Sequence, residues 1–151
     1  MHLKLNDYVY FGDWASPFEN IGVKTVINVA SNLRSRYYKS LSSLPSTTLY
    51  FRLAKGDRED VDRKYLRCLE AIVSHAADMN MLPLLTHCKF GGHRGPTSAI
   101  AAAYFLSNGS LFELKNIHDQ MLELRPGLIN GRNYYRSTMK LLYEMAEENE
   151  K

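Results

Sequence analysis

Apolar and polar positions along this chain follow two different periods, and the periods trade places from one segment to the next. Val9-Tyr10-Phe11 reads as a short first strand, closed by Gly12-Asp13. Ser16-Pro17-Phe18-Glu19 has the form of a capping box with proline at the first helical position, and predicts a helix stopping near Gly22. Val26-Ile27-Asn28-Val29-Ala30 is apolar at all but one position, as expected of a strand buried on both faces. Leu49, Phe51 and Leu53 alternate with Tyr50 and Arg52, the pattern of a half-buried strand. Tyr65, Leu69, Ile72, Val73 and Ala76 fall on one face of a long helix over 63–79. Leu82 to His87 reads as another central strand, with Pro83 tolerable near its start.

Three helices complete the pattern. Gly95 to Leu106 is rich in alanine and ends at Asn108-Gly109; Ser110-Leu111-Phe112-Glu113 is a second capping box opening a helix to about Leu124. Arg132 to Glu148 is the last, with Tyr135, Met139, Leu142 and Met145 inward and its closing glutamates in solvent. Residues 31–47, rich in serine, arginine and tyrosine, show no period and predict a mobile surface loop. Strands alternating with helices make this an α/β chain: a central, mostly parallel sheet of four to five strands flanked by helices on both faces.

Composition narrows the class. The 151 residues fit one domain, 1–151, and 45% apolar with 23% charged residues is close to globular averages, so disorder is not the default reading. Two cysteines, Cys68 and Cys88, provide no disulfide framework and fit a reducing, cytoplasmic setting. The opening residues do not have the form of a signal peptide, and no apolar run approaches the ~18 residues of a membrane span. The net charge of +3 suits an anionic ligand without pointing to nucleic acid by itself.

The chemistry gathers in His87-Cys88-Lys89-Phe90-Gly91-Gly92-His93-Arg94-Gly95-Pro96-Thr97. A cysteine ends a strand, five residues follow, and an arginine opens a helix. Such a loop curls so that its backbone N–H groups line a concave anion site, and the helix adds its positive N-terminal end. Gly91 and Gly92 permit positive φ or close approach to a ligand, and Arg94 supplies a planar fork matched to two phosphate oxygens. A phosphate-binding loop is therefore expected between the central strand and the helix, with Lys89, Phe90, Gly91, Gly92, His93 and Arg94 around the anion. Cys88, in the middle of that positive field, is expected to be a thiolate nucleophile, and His87 to steady the loop through a ring hydrogen bond. Cys-x5-Arg arises by chance in roughly one such chain in ten; adding the histidine and glycine lowers this to roughly one in ten thousand. Cys68 lacks such surroundings and reads as a packing residue. His2, His75 and His118 have no ligand spacing.

His87-Cys88-x-x-Gly91-x-x-Arg94 resembles the signature of the cysteine-dependent protein phosphatases, and the rest of the chain resembles their small dual-specificity domain. Tyr10-Phe11-Gly12-Asp13 is similar to that family's opening strand, Gly22 to Asn28 to its second strand, and Arg125-Pro126 with Asn130 to the segment before its last helix. The resemblance implies hydrolysis of phosphomonoesters through a cysteinyl-phosphate, with no metal and no other cofactor. It also implies an aspartic acid on a loop some thirty residues before the cysteine. Asp57 fits that place, with Asp60 the alternative; Asp60 also reads as a cap for the following helix and Asp62 as its first-turn dipole partner. One position departs from the family. The residue after the arginine, ordinarily serine or threonine, is Gly95, with Thr97 two places on. Slow turnover, or a phosphate-binding module, is therefore an alternative to full catalysis.

The low-molecular-weight tyrosine phosphatases place cysteine and acid in the opposite order, and the large tyrosine phosphatases need a longer chain. A phosphorylated protein is the first substrate class, carrying phosphotyrosine, phosphoserine or phosphothreonine. The charge of Lys89 and His93 also suits phosphoinositides or the 5′ phosphates of RNA. Arg34, Arg36, Tyr37 and Tyr38 read as solvated loop residues, with the mouth of the site as a second place for them.

Overall fold

A computed structural model describes residues 1–151. Five strands form one sheet: β1 (His2–Lys4), β2 (Val9–Gly12), β3 (Thr25–Ala30), β4 (Leu49–Lys55) and β5 (Leu84–His87), in the order β1-β2-β5-β3-β4. β1 pairs antiparallel with β2, and the other four strands run parallel. The α/β reading and the parallel sheet hold; β1, three residues long, carries too little pattern to be seen in sequence. β3 is buried at every position, and β4 at the edge alternates as expected.

Five helices follow: α1 (Ser35–Ser40), α2 (Arg63–Asp78), α3 (Arg94–Phe105), α4 (Leu111–Leu124) and α5 (Asn133–Asn149). α3 is buried from Arg94 to Tyr104. Its run Ala101-Ala102-Ala103 lets the sheet and α2, α4 and α5 approach from all sides, the situation of a helix apolar all round. Successive strand residues face opposite sides of a sheet. In β5, Thr86 Oγ1 donates to the Gly95 carbonyl of α3 at 2.7 Å, whereas His87 turns to the other face and meets Tyr37 of α1. Helices therefore cover both faces. None is long and apolar enough to cross a membrane.

Several expectations change. The Ser16 box does not start an α-helix: Ser16–Phe18 is one 3₁₀ turn without a side-chain cap. The buried Ser16 hydroxyl is taken by the Asp13 N–H and the Met1 carbonyl, while Glu19 accepts from His2 Nδ1. The second box behaves as read, with Ser110 Oγ accepting from the Glu113 N–H at 3.1 Å. Asp62, not Asp60, caps α2, its carboxylate accepting from the Tyr65 N–H at 2.8 Å. Residues 31–47 are not simply a loop: they hold α1 and a 3₁₀ turn at Leu41–Ser43, pinned by the single buried ring of Tyr37. One anchor leaves no period to read. Cys68 is exposed on the solvent side of α2, outside the core.

Candidate active site

The carboxyl ends of the four parallel strands deliver four loops to one edge of the sheet, where open α/β sheets bind ligands. β2 delivers Gly12–Trp14, β3 delivers Asn32, β4 delivers Lys55–Asp57, and β5 delivers the loop from Cys88 to His93. That last loop runs straight into the N-terminus of α3.

Neighbours hold the loop in its curl. The Cys88 N–H donates to the Gly12 carbonyl at 3.3 Å, and the Trp14 N–H donates to the Lys89 carbonyl at 3.2 Å. Arg125 Nη2 donates to the Gly91 carbonyl at 2.6 Å. With these two carbonyls drawn outward, the N–H groups of Lys89, Phe90, Gly92 and His93 have no acceptor in the protein. Gly91, at φ +75°, aims its N–H at Cys88 Sγ, 3.2 Å away. A β-carbon at Gly91 would stand 3.2–3.3 Å from the Gly12–Asp13 backbone, so glycine is required there for space as well as for φ. Cys88 is 3% exposed and Arg94 7%. Arg94 donates through Nη1 to the Lys55 carbonyl at 2.8 Å and through Nη2 to Asn32 Oδ1 at 3.1 Å, and its remaining donors stay available to a ligand.

His87 is fully buried. Its Nδ1 faces the Cys88 carbonyl at 3.2 Å, and a carbonyl only accepts, so Nδ1 carries the proton. Nε2 then accepts from the Tyr37 hydroxyl at 3.0 Å. Burial holds the imidazole down to about 4, so it is neutral at pH 7. The ring thus bridges the Cys88 carbonyl and Tyr37 of α1, a tyrosine that turns inward rather than standing in solvent or at the mouth of the site.

Asp57 lies two residues past β4. Its Oδ2 is 3.5 Å from His93 Nδ1, and its Oδ1 is buried without a hydrogen-bond partner. This contact brings Asp57 to the loop. Asp60 is exposed and lines a surface recess with Asn133 and Arg136 instead. The first turn of α5 grips the Asp57 segment: the Tyr134 N–H donates to the Asp57 carbonyl at 3.0 Å, and the Val61 N–H donates to Ser137 Oγ at 2.7 Å.

Beneath the loop runs a chain of hydroxyls. The Tyr65 hydroxyl donates to the Leu53 carbonyl at 2.8 Å, so it accepts from Tyr134 at 2.7 Å, and Tyr134 accepts from Ser98 at 2.6 Å. Burial pushes Tyr134 up to about 12. Thr97 is fully buried, its hydroxyl without a partner. Asn130 is exposed at the end of a 3₁₀ turn, Pro126–Asn130, and no hydrogen bond ties it to the loop; Arg125 makes that connection. Asn32, Arg125, Tyr37 and Tyr134 were missed as site residues. Of these, Asn32 had a readable signal, its place just past the end of a central strand.

The sequence matches no protein-family model and no curated protein. Among solved structures, human DUSP28 is similar over 99% of this chain and 95% of its own, with a TM-score of 0.72 at 15% identity. The chain has the dual-specificity phosphatase fold. OH1 from the Orf virus, described as a tyrosine phosphatase with triple substrate specificity, is similar at TM-score 0.66 and 16% identity over 94% of this chain and 86% of its own. PTPMT1 in complex with PI(5)P is similar at 0.62 and 16% identity, over 97% and 95%.

Proposed function

We propose that this protein hydrolyses phosphomonoesters, phosphoproteins first among them, through a cysteinyl-phosphate. The observation that carries the reading is the Cys88 loop itself: four unpartnered N–H groups, a fifth on the sulfur, and a buried arginine with donors to spare. Phosphate oxygens satisfy such donors, and the dual-specificity fold supports the same reading.

In the first step the Cys88 thiolate attacks phosphorus, and the bond to the leaving oxygen breaks. Asp57 gives that oxygen its proton, while Arg94 and the loop N–H groups hold the three remaining oxygens as charge builds on them. In the second step water attacks the phosphocysteine and gives its proton to Asp57. The S–P bond breaks, returning the thiolate and releasing inorganic phosphate.

A second reading, a module that traps phosphate and turns over slowly, is favoured by Gly95, which brings no hydroxyl to the sulfur. The Ser98 hydroxyl does not replace it, because its proton is committed to Tyr134. Hydrolysis of a small aryl phosphate separates the two. Steady turnover that vanishes in Cys88→Ser supports the enzyme. A single stoichiometric burst supports the trap, and no release at all overturns the catalytic reading.

A further inference from the structure

A groove of about 640 Å³ opens beside the phosphate loop. Trp14, Leu33 and Phe90 form its apolar walls, Arg34, Arg36 and Lys89 supply cations, and no carboxylate lines it. Trp14 is 50% exposed and Phe90 76%, large apolar surfaces of the kind that mark interaction sites. Lys89 and Phe90 belong to the loop itself, with Lys89 Nζ 5.2 Å from the Phe90 ring centroid, so groove and anion site are continuous. On the far side, Arg34 and Arg36 sit at the start of α1, which the 3.0 Å bond from Tyr37 to His87 ties to the strand before the loop. The helix that carries these cations is thus anchored to the strand that leads into the loop.

We propose that this groove receives the polypeptide flanking a phosphorylated side chain: one large apolar residue in the cleft and an acidic residue against Arg34 and Arg36. The proposal rests on the phosphomonoester reading of the Cys88 loop and adds which residues flank the phosphorylated side chain. Charge complementarity selects the acidic residue, since three cations face the groove and no anion does. Shape selects the apolar one. Leu33, Trp14 and Phe90 line one recess together with Tyr37 and Ser40, which offers an apolar side chain contacts on several residues at once. A nucleic-acid strand calls for cations tracking its backbone rather than flanking an apolar cleft.

Trp14 is the sole tryptophan, so the fluorescence of the protein comes from a wall of the groove. The experiment compares two phosphotyrosine peptides, one with leucine and glutamate flanks and one with alanine and lysine flanks. The first is expected to show kcat/KM higher by about tenfold or more, the size that one buried apolar side chain and a peripheral ion pair support. Arg34→Glu combined with Arg36→Glu erases the preference and leaves aryl phosphate turnover unchanged. Titrating the acidic peptide into Cys88→Ser shifts the Trp14 emission, and inorganic phosphate does not. Equal kcat/KM for the two peptides overturns the proposal, as does an unmoved Trp14 emission. So does better turnover of 5′-phosphorylated RNA or of a phosphoinositide in vesicles that depends on the same arginines. Emission that responds to the acidic peptide without any aryl phosphate turnover keeps the groove and removes the phosphatase reading. Aryl phosphate turnover without peptide preference does the reverse.

Discussion

A β-carbon on Gly95 would stand 2.9 Å from the carbonyl oxygen of Gly12, which itself accepts the Cys88 N–H. That distance is too short for a real contact, and the obstacle is backbone, which cannot swing aside as a side chain does. The hydroxyl-bearing residue that the sequence resemblance implied here is therefore absent from a place that also lacks room for it. Gly95→Ala costs about 1–3 kcal/mol of overpacking and recovers only about 0.5–1 kcal/mol of helix propensity. The expected outcome is a Tm lower by roughly 2–8 °C. Gly95→Ser shares that loss while supplying the hydroxyl, so phosphoenzyme breakdown should quicken even as the protein melts earlier. A Gly95→Ala protein as stable as the wild type would show that β2 yields without cost.

Neutral His87 makes stability depend on pH. Its folded value, about 4, lies below the ordinary 6.5, so the unfolded chain takes up the proton first as the medium acidifies. The contribution is complete above pH 6.5, falls between 6.5 and 4, and is gone below that; about 2.5 pH units correspond to about 3 kcal/mol. Thermal melts from pH 7.5 to 4 should show this decline, and His87→Gln should flatten it. Tyr37→Phe leaves Nε2 buried without its donor, at a cost of about 1–3 kcal/mol, and should raise the imidazole titration seen by NMR.

The strand-to-helix loop that brings Cys88 and Arg94 together was readable because both sit in one contiguous stretch, where residue type and spacing are the whole signal. Asp57 was singled out through the family resemblance, and of the two candidate aspartates it is the one in contact with His93 of the loop. Tyr37 was not readable. Its partner lies fifty positions away, and the polar residues around it hide one buried ring. Ser16 misled for a similar reason, since the hydroxyl that a helix start would use is taken by a turn and by the first residue's carbonyl. Local patterns fail where a side chain's best partner is distant in sequence.

Ser137 tests whether α5 sets the position of the acid. Its hydroxyl accepts the Val61 N–H at 2.7 Å, four residues beyond Asp57, whose carbonyl takes the Tyr134 N–H. Ser137→Ala orphans a buried N–H, so about 1 kcal/mol or more of stability should be lost. If Asp57 is the proton donor proposed above, turnover should fall most for phosphate esters with poor leaving groups. Asp57→Asn should lower the same rates by about 10²-fold or more and make the Ser137→Ala effect disappear. A Ser137 effect that persists in the Asp57→Asn background would place its role elsewhere.

Arg125 tests the electrostatics of the loop. Its 2.6 Å bond turns the Gly91 carbonyl away from the site, while the N–H of the same residue points at Cys88 Sγ and that of Gly92 stays unpartnered. In Arg125→Gln the Gly91–Gly92 peptide loses the charge-assisted half of its anchoring, worth about 1.5–3 kcal/mol. An inward-turned carbonyl would present a negative dipole to phosphate and withdraw the Gly92 N–H. Inhibition by inorganic phosphate should weaken by about tenfold or more, and KM for aryl phosphates should rise with it. Arg125→Lys keeps a cation but not the planar fork, and should recover part of the affinity. Unchanged phosphate inhibition in Arg125→Gln would mean that Gly91 holds its φ of +75° without help and that the loop is already fixed by its bonds to Gly12 and Trp14.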